Sequence, residues 1–182
     1  MNKQLVPCLT AGLMMIAFAV APVLAQDGKI NISNLESLAK KAAEVVDVNL
    51  DGQMLELATK FMDNEADSQG KEILKGLKGI YVKGFEFKQP GEYSTEDIEA
   101  IRSQLRPPAW KRIVGIESGS EGERVEIYVM TGVDGQKIEG MAIIAAEPTE
   151  LTVVNLVGAI DILKLSALEG KMGIPKLPEP KK

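Results

Sequence analysis

Apolar residues change their period along this chain, and the changes predict its elements. From 31 to 79 the spacing is helical. Ser33-Asn34-Leu35-Glu36 has the form of a capping box, and Leu35, Leu38, Ala39, Ala42 and Val46 follow on one helical face. Gly52 interrupts the run, with Asp51 placed to cap what comes next. Met54, Leu55, Ala58, Phe61 and Met62 then form a second apolar face. Residues 63–70 are polar and turn-like, and a third short helix carries Ile73, Leu74 and Leu77 as far as Gly79.

Beyond Gly79 the period becomes alternating. Residues 80–87 predict a strand with Tyr81, Phe85 and Phe87 on one face. Pro90-Gly91 turns the chain, and Ser94 caps a helix striped by Ile98, Ile101 and Leu105. Pro107-Pro108 ends that helix. Strands follow at 110–117, 124–130, 137–147 and 151–157, with Asp134-Gly135 a tight-hairpin signal. Asp161 caps a last helix with Ile162, Leu165 and Leu168, and the proline-rich end, 171–182, reads as a flexible tail.

Short links between the last four strands predict an antiparallel β-meander. Helices lying outside it make the domain α+β, and the expected architecture is a two-layer sandwich that buries one face of the sheet against helices. The domain is expected over 26–170, helical in 31–79 and mixed in 80–170.

The first 25 residues have a different pattern. Lys3 precedes an apolar run from Leu13 to Val20, and Val23-Leu24-Ala25 offers small residues to a signal peptidase. The run is short for a bilayer span, so the expectation is an exported protein, periplasmic or secreted, cleaved after Ala25 and left without an integral membrane anchor. Cys8 is the only cysteine, and the chain has no histidine. A protein clipped there holds neither thiol nor imidazole. That excludes disulfides, cysteine and histidine catalysis, and metal or haem sites built on those ligands. No cofactor is expected. The net charge of −5 argues against a general nucleic-acid binder.

Several segments together resemble one family. They are 45–52 (Val-Val-Asp-Val-Asn-Leu-Asp-Gly), Leu77-Lys78-Gly79-Ile80-Tyr81-Val82 with Phe85-Glu86-Phe87, and Ile101-Arg102-Ser103-Gln104-Leu105-Arg106 with Trp110 and Arg112-Ile113-Val114. Ala145-Ala146-Glu147-Pro148, continuing to Leu151-Thr152-Val153-Val154-Asn155, completes the set. In these the chain resembles DUF4252, an exported bacterial family of unknown function, over roughly 35–174. The resemblance implies an exported fold of this length and supplies no reaction, ligand or catalytic residue. It also hints at envelope signalling, since some relatives lie near genes for sigma and anti-sigma factors.

Three motifs invite chemistry and fall short of it. Asp47, Asn49, Asp51 and Gly52 match positions 1, 3, 5 and 6 of a calcium loop, but position 12 is Ala58 and position 9 is Leu55. Val46, Val48 and Leu50 alternate, so a short extended segment capped by Asp51 explains the same residues. Ser37-Leu38-Ala39-Lys40 and Ser68-Gln69-Gly70-Lys71 match the S-x-x-K element of penicillin-binding enzymes, without its partner motifs. Glu96, Asp97 and Glu99 crowd a helix start, and Glu117, Glu121, Glu123 and Glu126 surround a hairpin. Solvated acids are expected at both places.

The best candidate site is partner-binding and basic. Arg102, Arg106, Lys111 and Arg112 occur with no acid between Glu99 and Glu117, and Trp110, the only tryptophan, lies among them. An exposed aromatic beside such a patch suits an envelope protein segment or an anionic membrane surface. The competing expectation packs Trp110 in the core and lays the arginine stems along the fold. The function that follows is a non-catalytic envelope protein, an interaction or signalling module acting through this region or a sheet edge. The alternatives are a carboxylate-dependent envelope hydrolase and a carrier of a small apolar ligand.

Overall fold

The computed structural model describes residues 28–61, 68–119, 122–132, 135 and 137–161. The expected leader, the helix after Asp161 and the tail lie outside the described residues. A 3₁₀ helix, Ser33–Lys40, leads into strand β1 (Glu44–Asp51), helices α1 (Gly52–Phe61) and α2 (Ser68–Gly76), strand β2 (Leu77–Glu86) and helix α3 (Thr95–Arg102). Strands β3 (Trp110–Glu117), β4 (Arg124–Thr131), β5 (Ile138–Glu147) and β6 (Glu150–Ile160) complete the order.

The strands form one antiparallel sheet, ordered β1-β2-β6-β5-β4-β3. The fold is α+β, and the last four strands are the expected meander. β6 returns beside β2, and β1 extends the sheet on the far side. Successive side chains on a strand point to opposite faces. On one face Phe85, Trp110, Tyr128, Met130, Ala142, Ile144, Leu151 and Val153 pack with Leu35 and Leu38 of the 3₁₀ helix and Ile98 and Ile101 of α3. On the other, Ile80, Val82, Ile127, Val129, Met141, Ile143, Val154 and Leu156 pack with Leu55 of α1 and Ile73 and Leu74 of α2. Both faces are therefore buried, where a two-layer arrangement expects one. The central strands are apolar on both phases, as a sheet covered on two sides requires.

The segment expected to be helical over 31–79 divides. Among its described residues Ser33–Lys40, α1 and α2 are helical, while Glu44–Asp51 is a strand paired with β2 along its whole length. The β-branched Val46 and Val48 oppose Gly84 and Val82, so cross-strand packing outweighs helical spacing here. The expected cap at Ser33 is not formed. Ile32 is the N-cap and makes no side-chain cap bond, while Asn31 Oδ1 accepts from the Ser33 N–H at 2.9 Å and hydroxyl at 2.7 Å. Asp51 Oδ1 does accept from the Met54 N–H, at 3.1 Å. Ser94 and Asp97 form a complete capping box at the start of α3.

Asn155 secures the segment that precedes the 3₁₀ helix. It is fully buried in β6, its Oδ1 accepts from the Ile30 N–H at 3.0 Å, and its Nδ2 donates to the carbonyls of Gly28 at 2.9 Å and Met141 at 3.2 Å. Gly140 permits this approach, because a Cβ there would stand 3.0 Å from the Trp110 ring and 3.1 Å from Gly28 Cα.

Candidate functional site

β3 is an edge strand, paired only with β4 among the described residues. Ile113 is the extra residue of a bulge. Arg112 opposes Tyr128 and Val114 opposes Ile127, with Ile113 unpaired between them. After the bulge Gly115 opposes Glu126 and Glu117 opposes Arg124, on the same face as Arg112. Gly115 contributes no side chain, and the Arg112 guanidinium lies over it. A Cβ built on Gly115 would stand 3.4 Å from Arg112 Cζ. The result is an open groove of about 390 Å³ lined by Arg102, Arg112, Glu117, Arg124, Glu126 and Tyr128.

Glu126 organises the groove. It is only 3% exposed, and its carboxylate accepts from Arg102 Nε at 3.1 Å, from an Arg102 terminal nitrogen, and from the Tyr128 hydroxyl at 2.6 Å. Burial alone pushes the Glu126 carboxyl upward. The hydrogen bonds from Arg102 and Tyr128, with the Arg102 charge, outweigh burial and hold it below the usual carboxylate range. The Tyr128 hydroxyl is pushed up to about 12 by burial and by its bond to Glu126. The cluster is thus a fixed arginine–glutamate–tyrosine unit across the range of ordinary pH. Arg124 pairs with Glu117 at 2.5 Å. The Arg112 charge also acts on Glu126 and Tyr128, but among the described residues it is the one groove arginine without an ion pair.

The structure separates the basic residues that the sequence groups together. Trp110 is 2% exposed and belongs to the core, so it presents no aromatic surface to a partner. Arg102 is spent on Glu126, with Glu99 at 3.5 Å. Arg106 is exposed in solvent, 3.7 Å from Glu99. Lys111 is exposed on the face opposite Arg112. What replaces the tryptophan is aliphatic, since Ile113 and Ile116 are exposed at 43% and 41% along the edge. Glu126 lies in a strand apolar on both phases, with Val125, Ile127 and Val129 on one and Tyr128 and Met130 on the other. That pattern, more than its neighbourhood of acids, is the signal of a buried carboxylate.

The calcium-like motif lies on β1, where Asp47, Asn49 and Asp51 follow an extended backbone. Residues two apart on a strand are separated by about 7 Å, so their oxygens do not converge. Among the described residues no group of three or more acids is placed to hold a metal. Ser37 of the S-x-x-K match donates its hydroxyl to the Asn34 carbonyl. No helix of the described residues is long and apolar enough to cross a membrane.

A second groove, about 470 Å³, opens between the 3₁₀ helix and the β1–β2 pair. Its two lysines are already engaged. Lys83 meets Asp47 at 2.6 Å, and Lys29 Nζ stands 4.0 Å from the centroid of the Tyr81 ring.

The family model for a domain of unknown function, DUF4252, matches residues 39–168. The chain belongs to the DUF4252 family. The match runs from the end of the 3₁₀ helix through all six strands, so it includes both sheet edges and the Arg102–Glu126 unit. No curated protein and no solved structure matches the chain.

Proposed function

We propose that this DUF4252 protein is an exported, non-catalytic envelope protein that works by docking another protein along the β3 edge. The observation that carries the reading is the edge itself. Among the described residues β3 offers unpaired backbone groups, two exposed isoleucines and Arg112, which makes no ion pair, in one stretch of chain. An extended segment added there would gain main-chain hydrogen bonds from the edge. Its specificity would come from Arg112 and the groove behind it. The leader-like first 25 residues and the absence of histidine support export and a non-catalytic role.

Photo-cross-linking in cells tests this. A photoreactive residue at Ile113 or Ile116 is expected to give a discrete adduct that Arg112→Glu weakens, and one at Lys40 is expected to give none. Equal labelling from all three positions, or no adduct at native abundance, contradicts the reading.

A further inference from the structure

The sheet has two open edges among the described residues, and they differ in charge. β1 carries Glu44, Asp47 and Asp51 and no base, whereas β3 carries Lys111 and Arg112 against the single acid Glu117. Charge on an edge strand ordinarily prevents copies of a protein from pairing edge to edge. Here it keeps like edges apart and attracts unlike ones. Both edges also expose apolar side chains, Val45 (41%) and Val46 (38%) on β1, and Ile113 (43%) and Ile116 (41%) on β3.

We propose that β3 of one copy receives β1 of a second copy, joining chains head to tail in one continued antiparallel sheet. The proposal rests on β3 being the docking edge and names its occupant. Neighbouring strands alternate in direction, so β1 and β3, at the two ends of the order, run opposite ways. A second copy translated along the sheet therefore meets β3 with an antiparallel β1.

Side-chain phase fixes the register. Val48 opposes Val82 and Val114 opposes Ile127, and both partners belong to the same core cluster, so Val48 and Val114 share a sheet face. Setting Val48 against Val114 places Val46 against Ile116, exposed apolar residue against exposed apolar residue. It also places Asp47 against Gly115, directly under the Arg112 guanidinium. Lys83 occupies Asp47 Oδ2, and the Asp47 side chain is still 56% exposed, which leaves Oδ1 for Arg112.

Backbone phase agrees independently. The Ser118 N–H donates to the Glu123 carbonyl at 2.9 Å. Alternation from that bond turns the N–H and C=O of Gly115 and Glu117 outward. The Phe87 N–H donates to the Thr149 carbonyl at 2.8 Å, so odd positions of β2 serve β6 and even ones serve β1. In β1 this leaves Val45 and Asp47 turned outward. The register chosen by side chains therefore matches outward residues with outward residues, Asp47 with Gly115 and Val45 with Glu117. Such a contact is heterologous and does not close on itself, so it produces an open series of oligomers.

Sedimentation velocity on the purified chain tests the proposal over roughly a thousandfold range of concentration, at low and high salt. The expected result is a progression from monomer through dimer to larger species that high salt shifts back toward monomer. Ile116→Glu and Arg112→Glu are each expected to weaken association by roughly tenfold or more, with unchanged melting of the Ile116→Glu chain as the folding control. Adding Asp47→Lys and Lys83→Glu to Arg112→Glu is expected to restore association, because it exchanges the two charges and keeps the pair at positions 47 and 83. A wild-type chain monomeric throughout, or a single closed dimer indifferent to these substitutions, overturns the proposal. If the chain stays monomeric while cross-links from Ile113 to another protein persist, self-association fails and the docking reading stands. If both are absent, both fail.

Discussion

Arg102 of α3 holds Glu126 of β4 through two guanidinium nitrogens, at a position where β4 is otherwise apolar on both faces. The pair ties the helix to the outer half of the meander. Removing one member leaves the other charge poorly compensated. Arg102→Ala is expected to destabilise the fold by about 2–3 kcal/mol, below the range for a fully buried pair because Arg102 keeps 18% exposure. Arg102→Met with Glu126→Gln is expected to cost less than the sum of the single changes. Urea unfolding of the four proteins in a double-mutant cycle measures the coupling. Because folding lowers the Glu126 pKa, the stabilisation is fully present above the ordinary carboxylate range. It is lost as pH falls through the lowered folded value, so the wild-type advantage over Glu126→Gln should shrink on acidification.

Glu147 behaves oppositely. Burial, then Glu150 and Glu123, raises its pKa, and Glu150 opposes it directly across the β5–β6 hairpin. Folding therefore favours the protonated form, and the ionised form is a cost that appears as pH rises through the carboxylate range. Glu147→Gln is expected to stabilise the protein at neutral pH by about 0.5 kcal/mol. The gain should disappear in mild acid. Paired thermal melts across that range give the sign directly.

Asn155 is expected to be intolerant of change. Asn155→Ala removes three hydrogen bonds and strands the Ile30 N–H and the Gly28 carbonyl, at a cost of about 2–4 kcal/mol. Asn155→Asp should be no better, since it replaces a donor facing two carbonyls with an acceptor. Hydrogen exchange at Ile30 should accelerate in both variants more than exchange in β4.

Trp110 reports on the core. At 2% exposure, its fluorescence should be blue-shifted and resist acrylamide in the native protein, and become red-shifted and quenchable on unfolding. Efficient native-state quenching would show that the tryptophan is accessible.

The meander, the Ser94 cap and the start of α3 were legible in the sequence because local signals agree there: alternation, short links and a capping pair. The helix ends at Arg102, before the stop expected at Pro107-Pro108. β1 was harder to read, since Ala39, Ala42 and Val46 have helical spacing while Val46, Val48 and Leu50 have strand spacing. Pairing with β2, a long-range contact, decides between them. The basic stretch grouped Arg112 with Arg102, Arg106, Trp110 and Lys111, which the fold places in different surroundings. Arg112 and the groove depend on a bulge at Ile113 and on a glycine opposite Glu126, and neither is visible until β3 and β4 are in register. The burial of Glu126 was masked by its acidic neighbours around the hairpin.

The open β3 edge is the claim on which the rest depends, and amide exchange at Gly115 and Glu117 tests it most directly. In dilute protein both amides should exchange fast, while Val114 and Ile116, whose backbones turn toward β4, exchange slowly. Both fast amides should become protected when the edge is occupied, whether by a captured partner or in concentrated protein. Strong protection of Gly115 and Glu117 in dilute monomer would mean that the edge is already covered, and would contradict the account.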